Sequence, residues 1–267
     1  MSANANAGAT AEAQRQRILD QFTRQARPFR EMGAHSEEAS MRLVLEASGV
    51  GANDTVLDVA CGPGLTACAF ARMAHHVTGI DLTPAMIEQA RLQQQSQGLE
   101  NLAWEVGDST ALPFPDNAFS IVFSRYAFHH LLEPSAALAE MVRVCKPGGR
   151  VVVVDVYTTT PEQARAYNAA EKLRDPSHTR ALDLAELLGM MRDDARLGDL
   201  STEFYGLDVD FETLLASSFP DPENLDPLRK IFREDIGRDV LGVAARLDES
   251  GRLRFKFPIV VAVGKKP

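Results

Sequence analysis

Residues Val56 to Ala67 read "VLDVACGPGLTA". An apolar run stops at Asp58, turns through the small residues Ala60 to Gly64, and restarts in the helix-friendly "LTACAFARMA". Gly62 and Gly64 let backbone approach a ligand closely, since a Cβ there would take up the ligand's space. Gly62-x-Gly64-x-x-Ala67 also satisfies the dinucleotide fingerprint, which by itself points to NAD or FAD. A glycine pair fits a plain tight strand-to-helix turn equally well. The rest of the chain has to decide between these readings.

Outward from this stretch the pattern alternates. Strands are predicted at "TVLDVA", "HVTGID", "LAWEVG", "FSIVFS" and "RVVVVDVY", with helices between them at "LTACAFARMA", "PAMIEQARLQQQSQ" and "SAALAEMVRVC". Thr83-Pro84 reads as an N-cap followed by a proline at the first helical position. Ser135 is the expected N-cap of the third helix, and Pro147-Gly148-Gly149 its stop. Strands nearly continuous in Val, Ile and Leu, each followed by a helix, mean a parallel sheet covered on both faces. The predicted core is therefore a doubly wound α/β sheet.

Before this core, Ile18, Phe22 and Ala26 form one helical stripe that Pro28 is expected to interrupt, and "EEASMRLVLEASGV" forms a second amphipathic helix. The opening residues, small and polar, read as a disordered tail. Beyond Tyr157 come helical stretches, a short strand-like "LSTEFYGL", more helix to about Leu247, and a final strand in "RFKFPIVVAVGKK" that Gly251 turns into. If that strand returns to the sheet, the insertion between Thr158 and Ser250 is a lid on the same domain.

Of the 267 residues, 45% are hydrophobic and 24% charged, the balance of an ordinary globule. The net charge of -9 argues against a nucleic-acid partner, which needs a basic surface. Cys61, Cys68 and Cys145 are scattered and include no C-x-x-C pair, which suits a reducing, cytoplasmic setting. No run approaches the roughly 18 to 20 apolar residues that a membrane span needs. His75-His76 lacks the spacing of a metal site, so no metal is expected.

Three acids separate the ligands. Asp81 ends the second strand, where a carboxylate can accept hydrogen bonds from both hydroxyls of a ribose. Asp58 places negative charge beside the glycine turn, where a pyrophosphate would be repelled and a ligand carrying an ammonium and a sulfonium would not. Asp108 ends the third strand, within reach of an adenine amino group. Helix capping, solvation or a simple turn would account for Asp81 and Asp108 without any ligand.

The pieces "VLDVACGPG", "GIDLTPAMIEQAR", "GDSTALPFPDNAFSIVFSRYAFHHL" and "EMVRVCKPGGRVVVVD" together resemble class I S-adenosylmethionine-dependent methyltransferases, of the type 11 group that includes the ubiquinone and menaquinone C-methyltransferases. The resemblance covers roughly residues 40 to 160, and "LRDPSHTR" is similar to a bacterial subgroup of the family. It implies a Rossmann-like, doubly wound seven-stranded sheet with six strands parallel and the last antiparallel. The expected divisions are residues 1–14 as tail, 15–50 as N-terminal capping helices, 51–160 as cofactor-binding core, and 161–267 as lid helices and C-terminal strands. By position the resemblance assigns Ala60, Gly62 and Gly64 to the methionine moiety, Asp81 and Leu82 to the ribose, and Asp108 and Ser109 to the adenine. Asp58 would meet the amino-acid end, and Arg125 would contribute through its backbone. Ala60 departs from the family pattern, which has a glycine there.

Methyl transfer from a sulfonium is an in-line displacement, so alignment is the main task and a base is optional. Candidate catalytic groups are Tyr126, His129 and His130 after the fourth strand and His178 in "DPSHTR", with Asp155 at the end of the fifth strand able to face the acceptor. Each of the histidines also fits a packing or surface role. Phe22, Phe29, Phe128, Met190, Met191, Phe204 and Tyr205 are expected to wall an apolar pocket. These features predict a small, largely apolar or aromatic acceptor, with a homodimer left open. Two other readings stand: a protein that binds S-adenosylmethionine without transferring methyl, and an NAD-dependent dehydrogenase.

Overall fold

The computed structural model describes residues 2–32 and 38–267. Its strands are β1 (Thr55–Val59), β2 (His76–Asp81), β3 (Leu102–Val106), β4 (Phe119–Arg125), β5 (Cys145–Thr158), the two-residue β6 (Leu182–Asp183), β7 (Gly198–Asp210), the two-residue β8 (Arg246–Leu247) and β9 (Leu253–Lys265). The long strands lie in the order β3-β2-β1-β4-β5-β9-β7, with β6 on β5 and β8 on β9. Strands β1 to β5 pair in parallel, and β9 runs antiparallel to both β5 and β7. Six of the seven long strands therefore run one way and the last runs the other, the expected Rossmann-like arrangement.

Period-two alternation explains the two covered faces. Val56, Phe123, Val152 and Val261 face one layer, where Phe70 and Phe232 pack, while Leu57, Val122, Val153 and Val260 face the other, against Leu138 and Met141. Burying each such side chain contributes about 1.5 to 3 kcal/mol. Helices α1 (Ser2–Met32), α2 (Glu38–Ser48), α3 (Leu65–Ala71), α4 (Pro84–Gln97), α5 (Pro134–Val144), α6 (Pro161–Arg174), α7 (Leu184–Gly189), α8 (Phe211–Ser218) and α9 (Leu225–Asp235) complete the chain. The connection leaves β1 toward β2 and β3 on one side, while β4 and β5 lie on the other. The chain reversal thus falls between β1 and β4, the point where an open sheet forms a crevice at its carboxyl edge.

Several local expectations need correction. Helix α1 begins at Ser2 and not at residue 15, so the expected tail is helical from Ser2 onward; Met1 and residues 33–37 lie outside the described residues. Alanine-rich sequence favours helix, and the segment is tied down by buried Gln14, whose Nε2 donates to the carbonyls of His130 at 2.9 Å and Ser177 at 2.6 Å. Pro28 does not end the helix, which continues to Met32. Proline costs one backbone hydrogen bond, and Phe29 beyond it stays on the stripe with Phe22, ring centroids 6.3 Å apart. The N-cap position of α5 is Glu133, two residues ahead of Ser135, with Pro134 at the first helical position. Pro147-Gly148-Gly149 lies inside β5, which starts at Cys145 as soon as the helix stops. The "short" strand is the 13-residue β7, and helix ends at Asp235 rather than near Leu247.

Candidate active site

The turn after β1 puts three residues in the left-handed region: Ala60 at φ 58°, Gly62 at φ 52° and Gly64 at φ 76°. Their roles differ. A Cβ built on Gly62 would meet nothing within 4 Å, so its backbone faces open space. On Gly64 it would meet Trp104 at 2.6 Å and Ala90 at 2.9 Å, so that glycine lets α3 settle against the sheet and α4. Ala60 adopts a conformation that costs an L-residue roughly 1–2 kcal/mol.

Asp81 organises this turn. Its Oδ2 accepts from the Gly62 amide and its Oδ1 from the Thr83 amide, both at 2.8 Å, which fixes the carboxylate at the β2 tip and starts α4. Burial raises its pKa, and the two amides counter that. Asp58 lies deeper, one residue before the end of β1 and 1% exposed. Its Oδ2 is buried with no hydrogen-bond partner among the described residues. Burial, opposed by the Arg125 charge and reinforced by Asp81, pushes the carboxyl up to about 8. Asp108 lies two residues past β3; its Oδ1 accepts from the Thr110 amide and hydroxyl, while Oδ2 pairs with Arg15 of α1 at 3.0 Å.

These groups share one cavity of about 440 Å³. Asp58, Ala60, Gly62, Asp81, Leu82, Asp108, Ser109, Arg125, Tyr126 and His130 line it, and Gly64, His129, Asp155 and His178 do not. The roof is helix α1, through Ala11, Gln14, Arg15, Ile18, Phe22 and Phe29, with Leu131 and Leu132 on the facing wall. The insertion between Thr158 and Ser250 contributes nothing to the wall, which corrects its expected role as a lid. It braces the roof instead: buried Arg174 bridges Glu171 and Ser218 Oγ, and the Ser218 carbonyl accepts from Gln21 and Gln25 of α1 at 2.5 and 3.2 Å. Of the expected apolar wall, Phe22 and Phe29 are in place. Phe128, Met190 and Met191 are core, Phe204 is 48% exposed against Tyr157, and the Tyr205 hydroxyl bonds that of Tyr126 at 2.6 Å.

The histidines divide in the same way. His129 Nδ1 lies 2.5 Å from Asp155 Oδ1; burial disfavours its charge, yet Asp155 raises the pKa overall. Asp155 Oδ2 also accepts from the Phe128 and His129 amides, so this acid organises the turn after β4 instead of facing an acceptor. His178 is buried with Nε2 on Asn168 Oδ1 at 2.8 Å, and burial depresses its pKa. His130 is on the cavity wall, edge-on to Phe22 at 4.9 Å, with Nδ1 3.0 Å from Ser177 Oγ. Burial and the neighbouring His129 push it down to about 4. Among the described residues no group of three His, Cys, Asp or Glu side chains is arranged to hold a metal.

Gln14, Arg15, Leu131 and Leu132 were not singled out in the sequence. Arg15 had one usable signal, since it precedes Ile18 and Phe22 on a helix whose apolar stripe needed a partner.

An orphaned, buried carboxylate oxygen, an exposed glycine backbone and an anchored acid at the next strand tip fit an adenosyl ligand with an ammonium and a diol. They define an α/β protein with a nucleotide-sized crevice at the carboxyl edge of its sheet. The family described as Methyltransferase domain matches residues 57–153. An uncharacterized methyltransferase of Bacillus subtilis (strain 168), YcgJ, is 35% identical over 170 residues, 63% of this chain and 67% of the relative. The crystal structure of YcgJ superposes with a TM-score of 0.78 at 27% identity, covering 85% of this chain and 98% of that one. The demethylmenaquinone methyltransferase of Renibacterium salmoninarum is 37% identical over 114 residues, 43% of this chain and 46% of the relative. The chain belongs to this methyltransferase family and is an S-adenosylmethionine-dependent methyltransferase.

Proposed function

We propose that the enzyme methylates a small, largely apolar or aromatic molecule by in-line displacement. The observation that carries this is the composition of the cavity beyond the three acids: Ile18, Phe22 and Phe29 from the roof, and Leu131 and Leu132 opposite. Apolar walls with few polar groups favour a ligand of the same character. S-adenosylmethionine supplies an activated methyl group, and the chain's residues bind and align it.

In this reading Asp58 meets the ligand's ammonium, Ala60 and Gly62 border its methionine part, Asp81 and Leu82 hold the ribose, and Asp108 and Ser109 meet the adenine. Arg125 supports Asp58 electrostatically, and Tyr126 and His130 face the acceptor side. Gly64 serves the turn rather than the ligand. Helix α1 covers one side of the cavity, and in this reading its closure limits water at the transfer. A cytoplasmic setting belongs to the same proposal, supported by three free, buried cysteines. So does a partner list limited to the small acceptor, without nucleic acid. Among the described residues no helix is long and apolar enough to cross a membrane.

Incubation with methyl-labelled S-adenosylmethionine and matched panels of phenols, quinols, aliphatic amines and sugars tests the reading. Labelled product is expected among the aromatic members. Transfer confined to sugars or charged amines would overturn it.

A further inference from the structure

The stretch "DPSHTR" does not touch the cavity, yet it wraps the segment that does. The Thr179 amide and hydroxyl and the Arg180 amide all donate to the His129 carbonyl, at 2.9, 2.7 and 3.2 Å, and the Thr179 hydroxyl also reaches the Leu131 carbonyl at 2.9 Å. Asp175 Oδ1 accepts from the Ser177 amide at 2.9 Å and from the Ser177 hydroxyl at 2.6 Å. An ionised carboxylate can only accept, so the single Ser177 proton is committed to Asp175. Ser177 Oγ must then accept from His130 Nδ1, 3.0 Å away, which puts the imidazole proton on Nδ1. His130 Nε2 keeps its lone pair. It has no hydrogen-bond partner among the described residues, and His130 lines the cavity.

We propose that His130 is the general base toward the methyl acceptor, and that Ser177 and Asp175 are positioning residues that hold it as the Nδ1–H tautomer. This rests on the methyl-transfer reading above and narrows its acceptor to one with an ionisable hydroxyl, a phenol or an enol. The acceptor's O–H bond breaks and its proton passes to Nε2. The oxygen's electron pair forms the bond to the methyl carbon, and the carbon–sulfur pair stays on sulfur, leaving a neutral thioether and an imidazolium.

The surroundings suit a neutral base. His129 lies tilted against it at 4.1 Å and disfavours a second positive charge, while Asp175, Ser177 and Asp155 favour it less strongly than burial opposes it. Arg15 and Glu133 line the same cavity. Burial opposes the charge on Asp175, but His130, Arg174 and the two Ser177 donors hold its carboxyl below the ordinary range.

Nitrogen-15 NMR of the full chain labelled in histidine is the direct test. At pH 7, His130 is expected to show a protonated Nδ1 and a pyridine-like Nε2, with a midpoint below 6.5. Ser177→Ala should abolish the tautomer preference and Ser177→Thr should restore it. An Nε2–H tautomer in the wild type would overturn the proposal without any variant having to fold. Kinetics with methyl-labelled cofactor add a second arm, on 4-methoxyphenol and on 4-nitrophenol, which is ionised at pH 8. His130→Gln should lower kcat about 10²- to 10⁴-fold on the first and much less on the second. Equal losses on both phenols would also overturn it. Calorimetric binding of S-adenosylhomocysteine stays intact in either case; its loss in the wild type would instead refute the cofactor site.

Discussion

Asp58 makes the placement of the cofactor measurable as a proton count. With its carboxyl pushed up to about 8, the free protein carries a proton on Asp58 at pH 7 in about 0.9 of molecules, from the Henderson–Hasselbalch relation. A ligand ammonium brought to the buried Oδ2 favours the ionised form, so binding must expel that proton. The expected release is about 0.9 proton at pH 7 and about 0.5 at pH 8. The same linkage tightens Kd about ninefold between pH 6 and 7 and about fivefold between pH 7 and 8. Titration calorimetry with S-adenosylhomocysteine, repeated in phosphate and Tris, reads the release from the buffer dependence of the heat. Asp58→Asn should remove the release, flatten the pH dependence and weaken binding by about 1.5–3 kcal/mol, the range for a hydrogen bond to a charged group. A wild-type protein that releases no proton would refute the reasoning, since Asp58 would then be ionised already or out of the ligand's reach.

Three further outcomes follow from the same geometry. Asp81→Ala removes the anchor of the Gly62 and Thr83 amides together with the proposed ribose acceptor, so S-adenosylhomocysteine affinity should fall by about 1–3 kcal/mol in calorimetry. Ala60→Gly relieves roughly 1–2 kcal/mol of left-handed strain against about 0.4–1 kcal/mol of added unfolded-state entropy, so urea unfolding should show a small net gain in stability. His130, pushed down to about 4 from an ordinary 6.5, binds fewer protons folded than unfolded between those values. Its contribution is complete above about pH 6.5 and is lost as pH falls toward 4, by up to ~3 kcal/mol. His130→Gln should flatten that acid limb of the stability profile, and a limb identical to wild type would contradict it.

The acidic tips were legible because strands announce themselves by continuous Val, Ile and Leu, and Asp58 and Asp81 interrupt such runs at the right places. The roof was not. Its grip on the rest of the molecule comes from Gln14, Gln21 and Gln25 donating to main-chain carbonyls more than 100 residues away, and glutamines carry no sequence signal for burial. The two glycines of the turn looked alike in one dimension. Only the packing of Trp104 and Ala90 distinguishes Gly64, which closes the helix onto the sheet, from Gly62, which faces the cavity. The histidines failed for a related reason: His129 and His130 are adjacent, and the turn after β4 sends one to Asp155 and the other to the cavity. The insertion read as a lid because the final strand was expected to return to the sheet and leave residues 158–250 on the same domain; the strand does return, but Met190 and Met191 pack into the core.

Among the described residues, helix α1 is fastened by uncharged amides to the carbonyls of His130, Ser177 and Ser218 and by an exposed ion pair, Arg15 to Asp108, at the cavity. Mobile ions weaken only the last of these fastenings. Raising ionic strength would loosen the Arg15–Asp108 pair while leaving the glutamine bonds to the chain's interior intact.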